Sequence, residues 1–149
     1  MHADGNKEWL LRDGCRLYHL SPQPLRQDGA MKFSAALMHH LEWKVRLRSA
    51  IDERRTQDVR EASDHRCCTL GVWFNGPARE RYGHLDCYRD CYEKHVRFHD
   101  EAGKVVQCID AGNEAEARTM LGLSGSFSQA SNVLIESMKQ LNQLAKLDV

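Results

Sequence analysis

From Phe33 onward the apolar positions fall at helical intervals. Phe33, Leu37, His40, Lys44, Leu47 and Ile51 advance by three or four and share one face of a helix, which predicts a helical segment beginning at Met31. His40 sits at the centre of that stripe, while His39 points well away. A second, longer arc runs through Tyr88, Tyr92, His95, His99, Ala102, Val106 and Ile109, predicting a helix from about Leu85 to Ala111. Asp110-Ala111-Gly112 closes it, with Gly112 placed for a left-handed cap. Asn113 with Glu116 reads as a capping pair for a short helix to Leu121. Ser126 with Gln129 repeats that pattern for a last helix to about Leu147, with Phe127, Ala130, Leu134, Met138 and Leu141 on one side. No strand-period segment and no internal repeat stands out. The expected fold is all-α, an antiparallel bundle of four to five helices.

Three stretches fall outside that period. Residues 1–30 carry Pro22 and Pro24 and no sustained helical pattern, and are expected to be a loosely ordered leader before a helical domain at 31–149. The polar run Asp52–Asp64 is expected to hold a helix end, a turn and a second short helix. Cys67 to Phe74, closed by the breaker Asn75-Gly76-Pro77, is too short to fold alone, but its Cys, Leu and Trp can plug a bundle.

Composition narrows the function. With 149 residues the chain is most simply one domain, and its 21 basic side chains balance its 21 acidic ones. Nothing there suggests a nucleic-acid or anionic-membrane surface, and the apolar runs are far short of a membrane span. The N-terminus lacks the basic start and apolar stretch of an export signal, so a cytoplasmic protein is expected. In that setting the six cysteines read as reduced thiols, at least one of them metal-bound, rather than a disulfide framework.

The chemistry lies in histidine and cysteine. His95 and His99 are four apart on the long helix, so both rings leave one face and can close on one ion. Cys87 and Cys91 extend the same ladder, but residues eight apart rise roughly 12 Å along a helix, so only one adjacent pair can serve one ion. Cys91 is the rival ligand within that ladder. His40 and Cys68 lie far upstream, and a shared site would have to be closed by the fold. Three imidazoles and a thiolate suit zinc, and a fully protein-ligated ion has no open position for substrate. The pattern therefore argues against an enzyme.

The three motifs His40-Leu41-Glu42-Trp43-Lys44, Cys68-Thr69-Leu70-Gly71-Val72-Trp73 with Gly76, and His95-Val96-Arg97-Phe98-His99 occur in that order. Together they resemble the bacterial chemoreceptor zinc-binding domain, whose pattern is H-x-x-W-K, C-x-L-G-x-W and H-x-x-x-H. Arg81-Tyr82-Gly83 and Glu101-Ala102-Gly103-Lys104-Val105 look like family wording too. The resemblance covers Met31 to the C-terminus. It implies one zinc per chain held by His40, Cys68, His95 and His99, and a homodimer acting on a chemoreceptor or diguanylate cyclase, here in trans. It also implies sensing of zinc or of hypochlorous acid. Cys67, directly before the motif cysteine, is a substitute ligand under oxidation.

Competing classes are a structural zinc adaptor and a di-iron oxygen-handling bundle. The latter needs bridging carboxylates in Glu-x-x-His pairs, which the chain does not repeat. Lys44, on the buried line beside Trp43, is expected to snorkel past the bundle end or to pair with an acidic group. His65 and His84 are expected on connecting segments.

Overall fold

The structure is a computed structural model, and it describes residues 32–56 and 59–147. The expected leader at 1–30 lies outside the described residues. Among these, the elements are α1 (Phe33–Glu53), a 3-10 turn (Arg60–Ser63), α2 (Thr69–Asn75), α3 (Pro77–Tyr82), α4 (Asp86–Asp110), α5 (Glu114–Leu121) and α6 (Ser126–Ala145), with no strand. The protein is an all-α bundle, as the periodicity implies.

Helices α1, α4 and α6 form the frame. Ser137 Oγ donates to Asp90 Oδ2 at 2.8 Å, and the Phe98 and Phe127 rings pack 5.1 Å apart, so α6 runs antiparallel to α4. His40 lies against His95, and Thr56, just past α1, donates to Asp110, so α1 points the same way as α4. The antiparallel relation therefore holds for α6 against its neighbours. The chain between α1 and α4 folds back through the 3-10 turn, α2 and α3, which restores the direction. Leu47, Ile51, Phe98, Phe127, Leu134, Met138 and Leu141 fill the space between the three long helices.

Helix ends follow local chemistry in part. Gly112 is left-handed at φ 74°, Asn113 N–H donates to Cys108 O and Gly112 N–H to Ile109 O, the paired bonds of a Schellman cap. The two expected capping boxes are absent. Asn113 is the N-cap of α5 but its side chain makes no cap bond, and α6 starts one residue earlier than a Ser126 cap requires, with Gly125 as N-cap. Ser126 instead hydrogen-bonds Glu101 on α4, so tertiary contact outcompetes the local bond. Lys44 follows neither expectation: its Nζ donates to Ser128 Oγ at 2.8 Å, and that hydroxyl donates to Leu121 O at 3.1 Å. This chain ties α1 to α6, and burial holds the Lys44 ammonium below its ordinary pKa.

The plug segment folds into α2 and inserts Leu70, Trp73 and Phe74 into the core. Gly71 makes this possible, because a β-carbon there would stand 1.7 Å from the His65 carbonyl oxygen. Gly71→Ala must push α2 away from the turn before it. The expected cost is roughly 3 kcal/mol, read as a fall in melting temperature on the order of 10 °C. An unchanged melting curve would contradict this packing.

Candidate metal centre

Each of the four expected metal residues sits where its element places it. His40 leaves the middle of α1 and His95 and His99 leave consecutive turns of α4, all inside the bundle with exposures of 2, 0 and 0 %. Cys68 is the half-buried N-cap of α2, and its sulfur accepts the Gly71 N–H at 3.3 Å. One donor atom from each residue falls within 4.8 Å of the other three. Cys68 Sγ is 3.0 Å from His95 Nε2 and 3.8 Å from His40 Nε2. Donors on one tetrahedral zinc stand roughly 3.3–3.7 Å apart, so small side-chain rotations bring this set to that geometry.

Backbone carbonyls orient two of the rings. His40 Nδ1 is 2.7 Å from Ala36 O, and His99 Nδ1 is 2.6 Å from Ala62 O. A carbonyl can only accept, so each ring carries its proton on Nδ1 and keeps an Nε2 lone pair for the cluster. His99 Nε2 and His95 Nδ1 are buried with no hydrogen-bond partner. An unpaired buried nitrogen costs about 1–3 kcal/mol, and a metal ion removes that cost at His99 Nε2. The donor set fits zinc.

Ala36 is one helical turn before His40 and is legible from spacing. Ala62 is not: the 3-10 turn approaches α4 because Gly103 has no side chain, and a β-carbon there would meet Ser63 Cβ at 2.9 Å. A small residue on the buried arc of α4 is the signal that a second backbone crosses there.

The electrostatics suit metal uptake. Burial, opposed by the Ala36 carbonyl, lowers the His40 pKa to about 4, and burial lowers that of His99 to about 3. His95 is held well below its ordinary value by burial and then by His99 and His40. All three imidazoles are neutral near pH 7, as ligands must be. Burial pushes the Cys68 thiol up to about 12, against the N–H groups of Gly71 and Leu70.

Other sulfurs fall elsewhere. Cys91 is buried but turned to Ser137 on α6, outside the cluster. Cys87 and Cys108 are free thiols on the flanks of α4. Cys67 is disulfide-bonded, which corrects the expectation of reduced thiols at that position and leaves Cys68 as the free thiol of the pair. No described helix is long and apolar enough to cross a membrane.

No curated protein and no solved structure matches the chain. The model of the chemoreceptor zinc-binding domain matches residues 40–106, a span that opens on His40 and includes Cys68, His95 and His99. The three-histidine, one-cysteine cluster lies inside that span, so residues 40–106 are similar to the chemoreceptor zinc-binding domain both in sequence and in where they gather metal-capable side chains.

Proposed function

We propose that His40, Cys68, His95 and His99 hold one zinc per chain, and that the protein is a regulatory sensor rather than an enzyme. The observation that carries this is the pair of carbonyl-locked imidazoles whose Nε2 lone pairs meet a thiol at a common point. Zinc bound there supplies the positive charge that holds Cys68 as a thiolate and joins α1, α2 and α4. All four positions are protein side chains, so none is open to substrate. The cluster contains no carboxylate, which disfavours a di-iron centre.

The chain's own parts suggest how a signal is passed on. Loss of zinc leaves His40 with no tie to α4 beyond packing, so α1 shifts by mass action when zinc falls. Hypochlorous acid takes two electrons from the Cys68 sulfur; chloride leaves, water supplies the oxygen, and the resulting sulfenic acid is a weaker ligand. Helix α2, capped by that sulfur, then swings away. Met38, Leu41 and Val45 form an exposed apolar stripe on α1, which supports a homodimer that reads its movement. A chemoreceptor or diguanylate cyclase in trans is the partner class we infer. Four described cysteines are free against one in a disulfide, a balance that suits a reducing compartment, and we place the protein in the cytoplasm.

Metal analysis of the purified protein under chelator competition tests this. About one zinc per chain is expected, with sharply lower occupancy in Cys68→Ala and His95→Ala, and release from the wild type after stoichiometric hypochlorous acid. Full retention in His95→Ala overturns the ligand assignment. Retention with an unaltered helix arrangement after oxidant leaves a structural adaptor instead of a sensor.

A further inference from the structure

A fifth donor stands beside the cluster. His65 occupies the turn between the 3-10 segment and α2, three residues before Cys68. Its ring lies edge-on to His95 with centroids 6.3 Å apart, only slightly beyond the 5.8 Å between His40 and His99. His65 Nδ1 is buried and has no hydrogen-bond partner, a condition shared among the described side chains only with His95 Nδ1 and His99 Nε2. Those two belong to the cluster. The third belongs to His65, whose ring neighbours His95 but stands outside the four-residue cluster.

Position makes His65 specific to one ligand. Its carbonyl oxygen is 3.9 Å from Cys68 Sγ, so both residues ride on one turn. Gly71 lets α2 press against that carbonyl. If the Cys68 sulfur ceases to bind, the vacated position faces the turn that carries His65. Rotation of that turn brings in an imidazole without opening the α1–α4 contact. Four imidazoles satisfy zinc, although replacing an anionic ligand with a neutral one weakens the site.

We propose that His65 is an alternate metal ligand that takes the place of Cys68 when its thiolate is lost, converting the centre from three histidines and a cysteine to four histidines. This rests on the zinc reading above. On this account thiol loss moves the turn and α2 and leaves a weaker four-histidine site, which keeps the metal when no chelator competes and yields it when one does, whereas falling zinc frees α1. The two signals therefore displace different elements.

Cobalt(II) substitution of the full chain is the test, because its absorption reports both tetrahedral geometry and a bound thiolate. Cys68→Ser is the preferred background, since serine can keep the cap bond to Gly71. The wild type is expected to show a thiolate band with tetrahedral ligand-field bands. Cys68→Ser should lose the first and keep the second. Adding His65→Ala to Cys68→Ser should abolish the tetrahedral bands and weaken cobalt binding at least about tenfold, while His65→Ala alone stays within about twofold of wild type. The same comparison on hypochlorous-acid-treated wild type and His65→Ala requires no change at Cys68. A double variant as tight and as tetrahedral as Cys68→Ser, or equal cobalt retention by the two oxidised proteins, overturns the proposal. A wild type without a thiolate band overturns the zinc reading itself, so the two failures are distinct.

Discussion

His95→Leu protein is expected to purify without zinc and yet to be more stable than the wild type in the presence of chelator. The two halves of that result have separate causes. His95 is fully buried, its Nε2 is 3.0 Å from Cys68 Sγ, and its Nδ1 has no partner. Without metal, leucine of similar volume replaces a desolvated polar nitrogen with apolar contact to Phe74 and Phe98, neighbours of the His95–His40 cluster, and the gain is about 1–3 kcal/mol. With zinc, the order reverses. A structural zinc site is worth about 10–16 kcal/mol over four ligands, so one ligand accounts for roughly 3–4 kcal/mol, or two to three orders of magnitude in affinity. At free zinc about a thousandfold above its dissociation constant, the wild type gains about 4 kcal/mol that the variant does not. Thermal melts of both proteins in zinc and in chelator measure the crossing. If His95 were only a packed core histidine, the leucine variant would be the more stable under both conditions.

The reason the site was so legible is its periodicity. His40 and the His95–His99 pair lie on apolar stripes of regular helices, and phase alone directs them inward; it also separates His40 from His39, which is half-exposed and beside Glu42. What spacing could not supply is distance between elements. Nothing in the period of α1 or α4 says that the two run in the same direction, because that depends on α2 and α3, and α3 (Pro77–Tyr82) begins on the proline of the Asn75-Gly76-Pro77 breaker itself. The local capping rules failed at Ser126 for a similar reason: its hydroxyl found Glu101 across the bundle. The Ala62 carbonyl that orients His99 belongs to an irregular turn, and only Gly103 on the opposing helix hints at it. His65 lies on a connecting segment, as its place in the sequence implies. Its closeness to His95 is a product of the fold.

The metal-free protein should lose its stability steeply as pH falls below 6.5. Each buried imidazole has a folded pKa below its unfolded value of 6.5: about 4 for His40, about 3 for His99, and a strong depression for His95, with burial as the leading cause at all three. The unfolded chain therefore binds protons that the folded chain refuses, and stability rises with pH through this window. It is fully present above 6.5, where the imidazoles are neutral in both states, and is lost as pH falls toward the folded pKa values. One group contributes about 1.4 kcal/mol per pH unit, so three together remove about 4 kcal/mol between pH 6 and pH 5. A domain in the lower half of the ordinary range of about 5–15 kcal/mol is then largely unfolded near pH 4. Denaturant titrations in chelator at half-unit steps would show this slope, and His40→Leu or His99→Leu should each reduce it by about one third. Zinc-loaded protein should resist acid further, because the proton must displace the ion before it can occupy Nε2. A metal-free protein whose stability is flat from pH 7 to pH 5 would mean that these rings do not remain neutral inside the bundle, and the neutral-ligand basis of the site would go with it.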